Sequence, residues 1–178
     1  MSNLLSPGEY ALWNGKPVRM PFIFSSFVTV PFGLLFIGFS IFWMYMASQG
    51  GGYFWLFGMP FLLIGVAVSF GGAITQLFAY RNTIYIITDK RIIIQSGAIG
   101  LDTKFIELDK IQEVYVNVGF IDKIFGTGSL YVVTSGNAFF NSRGRSSYMR
   151  PSLAALREPY EVHRVLQEAI DRVKKDDQ

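Results

Sequence analysis

The sequence predicts a membrane α-hairpin followed by an α+β domain, in which a small antiparallel β-barrel or sandwich is capped by a C-terminal α-helix. Three observations predict it. First, the sixty-one residues between Arg19 and Arg81 include no Asp, Glu, Lys, Arg or His. Second, short β-branched segments after Arg81 alternate with turn residues, as in antiparallel strands. Third, apolar residues from Glu158 to Lys175 recur at a spacing of three and four, which is typical of a helix packed on a sheet by one face.

Two apolar runs within the uncharged stretch are long enough to cross a membrane. They cover residues 22–47 and 53–80, and each exceeds the ~20 residues that a helix needs to span the hydrocarbon core. The glycine-rich break between them, Ser48–Gly52, suits a tight turn between antiparallel helices. A signal peptide has a shorter apolar region, of about 7–15 residues. We therefore expect a transmembrane hairpin over residues 22–80, in which small residues such as Ser69 and Ala73 allow close packing on each other or on a partner.

Basic residues lie at the outer ends of the two runs and not in the turn that joins them. Lys16 and Arg19 precede the first run, Arg81, Lys90 and Arg91 follow the second, and the connecting turn carries no positive charge. By the positive-inside rule these five residues set the topology, with residues 1–21 and 81–178 both in the cytoplasm. The runs themselves carry no ionisable side chain, whereas transporters and proton pumps usually need one. A channel or transporter is therefore not expected.

Period-2 patterns and turn residues after Arg81 predict five strands. The strands are Thr83–Thr88, Arg91–Ser96, Leu101–Leu108, Ile111–Val118 and Ser129–Ser135, with one helical turn in the segment FIDKIFGTG before the last of them. A further hairpin is predicted around Arg143–Arg145. An amphipathic helix then covers Glu158 to Lys175 and closes one open end of the sheet.

The residue types that carry most enzyme chemistry are scarce. The chain has no cysteine and one histidine, His163, so one chain cannot form a multi-histidine metal site. The net charge of +3 comes without the dense basic stripe of a nucleic-acid-binding surface. The segment Gly126–Ser129 is glycine-rich but lacks the lysine of a phosphate-binding loop, and it leads into a strand. We therefore expect no enzyme activity, no cofactor, no metal and no nucleic-acid partner.

One basic and aromatic segment is a candidate contact for a lipid or a protein partner. It has three arginines, no acidic residue and flanking aromatic side chains; the candidate residues are Phe139, Phe140, Arg143, Arg145, Tyr148 and Arg150. Near a membrane, arginines attract anionic headgroups by about 1 kcal/mol each. The alternative is a solvated hairpin tip whose aromatic side chains lie in the core.

Four segments of the chain carry a family resemblance. They are EYALWNGKP (Glu9–Pro17), YIITDKRIIIQSG, IELDKIQEVYVNVGFIDKIFGTGSLYVVTSG and EPYEVHRVLQEAI. In this order they resemble the bacterial and archaeal membrane-anchored PH-like domain family (bacterial PH type 2, DUF304, YdbS/YdbT-like). The resemblance implies a PH-like barrel with a C-terminal helix in a prokaryotic cell (inner) membrane, and no shared catalytic residues. The segment of residues 136–152 is longer and more basic than this family leads us to expect. Two structures are open for it, a strand hairpin and a mobile loop.

Two functions of different kinds fit this architecture. In the first, the protein is a non-enzymatic adaptor or scaffold that binds protein partners or self-associates at the cytoplasmic membrane face, through exposed sheet edges or grooves. In the second, the basic and aromatic segment binds anionic lipid headgroups or senses the inner leaflet. The adaptor is preferred, because two membrane spans already hold the protein in the membrane and lipid affinity would add little.

Overall fold

The computed structural model describes residues 5–134 and 151–176 and comprises a helical hairpin and a β-domain. The helices are α1 (Arg19–Phe24), α2 (Val30–Gln49), α3 (Gly58–Asn82), α4 (Phe120–Phe125) and α5 (Pro159–Asp176). The strands are β1 (Ala11–Gly15), β2 (Ile84–Thr88), β3 (Arg91–Ser96), β4 (Asp102–Glu107), β5 (Ile111–Asn117), β6 (Gly128–Thr134) and β7 (Ser152–Leu156). Short 3-10 helices lie at Ser25–Thr29, Phe54–Phe57 and Leu108–Lys110.

The helical hairpin is built from α2 and α3. The segments Val30–Gln49 and Phe54–Asn82 are long and apolar enough to cross a membrane. Only 11% and 17% of their most apolar windows are buried within the protein, whereas the core helix of a soluble protein would be mostly buried. The hairpin begins as a nearly unbroken helical path, because α1 and the 3-10 helix lead directly into α2. Pro31 lies in the first turn of α2, where its missing amide proton costs nothing.

The two long helices cross closely at glycine and serine positions. Gly33, Gly65 and Ser69 are buried there, whereas most of the surrounding helix surface is exposed. A Cβ atom added to Gly33 would lie 2.8 Å from the backbone nitrogen of Ser69 and 2.9 Å from the carbonyl oxygen of Gly65. The sequence pointed to Ser69, but it did not identify the partner helix or Gly65.

The β-domain consists of two antiparallel sheets. One has four strands in the order β1-β2-β3-β4, and the other has three in the order β5-β6-β7. The five strands predicted from the sequence are present with ends shifted by at most one residue, and α4 occupies the predicted helical turn. Two strands, β1 and β7, were not predicted. The hairpin predicted around Arg143–Arg145 lies outside the described residues.

The core lies between the two sheets and α5. Ile87 and Ile92 of the first hairpin and Leu130 of β6 are fully buried, and the α5 stripe adds Val162, Leu166, Ala169 and Ile170. Burying one such leucine or isoleucine side chain stabilises a fold by about 1.5–3 kcal/mol. The predicted capping role of the C-terminal helix is confirmed, since its apolar face closes the core.

The strand register gives the β-domain two ends. We call the end that carries α1, α3 and α4 the helix-proximal end. It includes the C-terminal end of β1, since Gly15 lies opposite Tyr85, and the turn between Ser96 and Asp102. The opposite, distal end includes the turn between β2 and β3 and the ends of β6 and β7 at Thr134 and Ser152.

Candidate functional site

Among the described residues, two hydrogen bonds tie the helix-proximal end of the β-domain to the two ends of the helical hairpin. The backbone nitrogen of Val18, just before α1, donates to the carbonyl oxygen of Ala155 in β7 at 2.7 Å. At the other helix, Asn82 Nδ2 donates to the carbonyl oxygen of Gly97 at 2.9 Å. The next residue, Thr83, is buried and leads straight into β2. Both ends of the hairpin therefore position the β-domain, which fixes its orientation better than one linker would.

A bulge in β7 makes the first of these contacts possible. Ala155 has a φ of 54°, in the left-handed region that non-glycine residues seldom adopt, and the register of β6 and β7 shifts at this point. The turned backbone directs the Ala155 carbonyl towards Val18 and brings the Ala154 nitrogen within 3.1 Å of the Tyr85 hydroxyl, which accepts its hydrogen bond. Burial raises the pKa of Tyr85 to about 12 and keeps this bridge between the two sheets neutral.

The short helix α4 is held in place by a carboxylate. Asp122 accepts a hydrogen bond from the Gly119 nitrogen at 3.2 Å and another from Thr127 Oγ1 at 2.9 Å. Gly126 ends the helix with a φ of 64°, which a glycine adopts without a steric penalty. These contacts give a six-residue helix a fixed orientation, with Phe120 and Ile124 exposed to the surroundings.

A groove of about 680 Å³ lies between α4 and the start of α5. Its walls carry both signs of charge, with Lys123 and Arg157 near Glu158 and Glu161, and Tyr160 gives it an exposed aromatic side chain. Mixed charges around apolar walls suit a peptide or protein segment. Within residues 5–134 and 151–176, no cluster of acidic residues and histidine is arranged to hold a metal ion.

A buried ion pair at the distal end ties β1 to the first hairpin. The Glu9 carboxylate is fully buried, and it accepts hydrogen bonds from Thr88 Oγ1 at 2.7 Å, from the Ser6 nitrogen at 2.8 Å and from two nitrogens of Arg91. The Arg91 guanidinium is the main cause of the lowering of the Glu9 pKa to about 2. It also lies 4.9 Å from the centre of the Phe105 ring. With its acceptors occupied, Glu9 acts as a structural clasp and is not available as a general base.

The residues that were predicted to contact a lipid or a partner lie outside the described part of the chain. These are Phe139, Phe140, Arg143, Arg145, Tyr148 and Arg150. The described residues that flank them, Thr134 and Pro151, lie at the distal end of β6 and β7. Their candidate role stays a prediction.

The predicted topology-setting residues occupy both ends of the β-domain. Lys16, Arg19 and Arg81 are exposed beside the helices, and their role in setting the topology stays a prediction. Lys90 is exposed and Arg91 is paired with Glu9, and both lie at the distal end, one strand length from α3.

The single histidine fastens the capping helix to the sheet. His163 Nε2 lies 3.3 Å from the carbonyl oxygen of Val114 in β5. The residue is half-buried, as expected for a histidine that lies off the apolar stripe of α5. Neither this contact nor the Glu9 clasp had a clear signal in the sequence, because each depends on a partner far away along the chain.

Comparison with known proteins gave one family and one solved structure. The family described as Bacterial PH domain matches residues 26–170. No curated protein matches the chain. The solved structure is a DUF1696 family protein with a pleckstrin-homology domain from Shewanella loihica PV-4; it is 14% identical, covers 51% of this chain and 68% of that chain, and has a TM-score of 0.34.

Proposed function

We propose, from the premise that the chain belongs to the bacterial PH domain family, that it is a non-enzymatic, membrane-anchored adaptor. Its PH-like domain would bind protein partners, or a second copy of the chain, at the cytoplasmic face of a prokaryotic cell membrane. Membership of the family supports a general binding role, and PH-like domains are generally non-catalytic.

The observation that carries the proposal is the double attachment of the β-domain to the helical hairpin. Hydrogen bonds from Val18 to Ala155 and from Asn82 to Gly97 hold the domain at both helix ends. The groove between α4 and α5 is consequently presented at a fixed height beside the membrane. A binding surface that is already oriented loses less freedom when a partner binds, so the rigid mounting favours an adaptor.

The proposed organisation keeps the three segments predicted from the sequence. Residues 1–21 form a cytoplasmic segment, residues 22–80 a two-helix transmembrane hairpin, and residues 81–178 a cytoplasmic PH-like domain. The pairing of β1 with β2 adds one feature, because residues Ala11–Gly15 supply the edge strand of the first sheet. The first segment thus contributes to the domain fold as well as to the membrane anchor.

The alternative proposal is that the segment around Arg143, Arg145 and Arg150 binds anionic lipid headgroups. The described residues that flank this segment, Thr134 and Pro151, lie at the distal end, whereas the helices leave the domain at the helix-proximal end. This arrangement favours a protein partner over the adjacent membrane surface for that segment. The adaptor therefore remains the preferred proposal.

Charge reversal in the groove tests the adaptor. Lys123→Glu together with Arg157→Glu should abolish the co-purification of a specific protein from gently solubilised membranes, or of a second, differently tagged copy of the chain. Arg172→Glu together with Lys174→Glu, on the exposed surface of α5 at least three turns from Tyr160, is the control with the same change of charge and should leave both unchanged. Identical partners and identical self-association in all three proteins would refute the groove as the binding surface.

A further inference from the structure

Two apolar projections flank the helical hairpin at the helix-proximal end. One is α4, on which Phe120 is 82% and Ile124 64% exposed. The other is the turn between β3 and β4, where Ile99 is 93% and Leu101 60% exposed. Large apolar side chains exposed together on a fixed scaffold mark a contact surface. The structure also shows what lies next to both of them.

The level of α4 follows from its contact with α1. The ring of Phe125 lies 6.2 Å from the ring of Phe24, centre to centre. Phe24 lies inside the uncharged stretch, five residues beyond Arg19, and this separation corresponds to about 7.5 Å along a helix. Through its Phe125 contact, α4 therefore lies beside the uncharged part of α1 and not at the level of its charged start.

The turn between β3 and β4 occupies a corresponding position beside α3. The side chain of Asn82 holds the Gly97 carbonyl oxygen at 2.9 Å, and Asn82 directly follows Arg81, where the uncharged stretch ends. Ile99 and Leu101 project from this anchored turn. The two projections thus lie beside α1 and α3, and each is close to the point where the charged part of the helix meets its uncharged part.

The dimensions of a bilayer place this boundary in the headgroup region. About twenty helical residues cover the ~30 Å hydrocarbon core, and headgroups add about 5–8 Å on each side. The thirty uncharged residues before the turn, 20–49, would be about 45 Å long as a helix, which matches the core together with both headgroup layers. Phe24, about 7.5 Å along this path from Arg19, then lies near the boundary between the headgroups and the acyl chains.

We propose that α4 and the turn between β3 and β4 insert their exposed apolar side chains into the membrane leaflet that faces the β-domain. They would reach the boundary between its headgroups and its acyl chains. The occupant of this surface is phospholipid, because the surface is continuous with the exposed apolar surface of the helices. Exposed Lys16 and Arg19, just before and at the start of α1, add attraction for anionic headgroups. This inference rests on the membrane anchoring in the proposed function and extends it. The PH-like domain docks on the membrane through the two apolar projections.

Depth measurement with single spin labels tests the proposal on the full-length chain. The chain has no cysteine, so each variant carries a single reactive thiol. Phe120→Cys, Ile124→Cys and Ile99→Cys are the test positions, in vesicles of phosphatidylcholine and phosphatidylglycerol. Because these side chains are exposed, cysteine removes little packing. Oxygen, which concentrates in the bilayer, should collide with these labels several-fold more often, relative to a water-soluble nickel complex, than with labels at the distal end.

Two kinds of control separate this proposal from the membrane anchor. Lys90→Cys and Asp109→Cys, both exposed at the distal end, report the aqueous value, and Phe39→Cys in the middle of α2 reports the bilayer interior. Intermediate values at the test positions support insertion. Aqueous values there with a deep Phe39→Cys label overturn insertion but leave the anchor intact. An aqueous Phe39→Cys label overturns the anchor, and insertion with it.

Discussion

The Glu9 carboxylate accepts hydrogen bonds from two nitrogens of the Arg91 guanidinium, Nε at 2.9 Å and a terminal nitrogen at 2.6 Å, across 82 residues of sequence. The acid precedes the helical hairpin and the arginine follows it. The pair therefore joins the segment before the two candidate membrane spans to the segment after them, and it holds β1 on the sheet.

Replacement of Glu9 by glutamine should destabilise the β-domain by about 2–3 kcal/mol. Removing one partner of a buried ion pair leaves the other charge uncompensated, and the partial exposure of Arg91 keeps the cost below the usual range of about 3–5 kcal/mol. The midpoint of thermal unfolding in mild detergent measures it. Glu107→Gln is the control, since Glu107 pairs with Lys110 on the open surface and its loss should leave the midpoint unchanged. Equal midpoints for Glu9→Gln and wild type would contradict the clasp.

The stabilisation by Glu9 should depend on pH. Its pKa falls from 4.5 to about 2 on folding, so the folded protein favours the ionised carboxylate. The contribution is complete above pH 4.5 and is lost as the pH falls through about 2. The difference in unfolding midpoint between wild type and Glu9→Gln should accordingly be constant near neutral pH and shrink below pH 4.5. A difference that stays constant through this range would show that the charge of Glu9 is not what stabilises the fold.

The same substitution should have opposite effects at two glycines of α2. A Cβ atom at Gly33 would lie 2.8 Å from the Ser69 backbone nitrogen, whereas one at Gly38 meets nothing within 4 Å. Gly33→Ala should therefore separate the helices at a cost of about 1–3 kcal/mol. Gly38→Ala should be neutral or stabilising by up to about 1 kcal/mol, because alanine favours helix over glycine. Thermal unfolding in detergent distinguishes them, and equal midpoints would exclude the close helix crossing.

The proposed topology predicts different reactivities for two single cysteines. Tyr53→Cys, at the exposed turn between α2 and α3, should react in intact cells with a maleimide that cannot cross membranes. Lys90→Cys, in the β-domain, should react only after the cells are opened. The positive-inside distribution of Lys16, Arg19 and Arg81 is the physical reason. Labelling of Lys90→Cys in intact cells would place the β-domain outside the cytoplasm.

Loss of the arginines of the basic and aromatic segment should leave lipid binding unchanged if the adaptor proposal holds. The variant with Arg143, Arg145 and Arg150 replaced by alanine should retain as many phosphatidylglycerol molecules as wild type in native mass spectrometry after gentle extraction. The matched control replaces Arg172, Lys174 and Lys175 of α5 by alanine and removes the same charge. Selective loss of bound lipid from the first variant would favour the lipid-binding alternative.

Local patterns in the sequence were sufficient for most of the fold. β-Branched alternation and polar corners predicted β2 to β6, and the spacing of Val162, Leu166 and Ala169 predicted the capping helix, because such periodicities record which side chains are buried. Neither β1 nor β7 was predicted. β1 lies apart from the other strands, ahead of the uncharged stretch, and the period of β7 is interrupted by its bulge at Ala155. Short strands of this kind exist because of pairing with distant strands.

The sequence by itself determined that two long uncharged helices precede a run of strands and an amphipathic helix, because hydrophobic content and period are properties of neighbouring residues. The family resemblance added that the strands form a PH-like domain. Only the tertiary structure decided how the two parts meet. Val18 meets Ala155, Asn82 meets Gly97, and Glu9 meets Arg91, and each contact joins residues that are remote along the chain. The position of α4 beside α1 was decided in the same way. Such contacts depend on the three-dimensional path of the chain, and a single sequence carries no periodic signal for them.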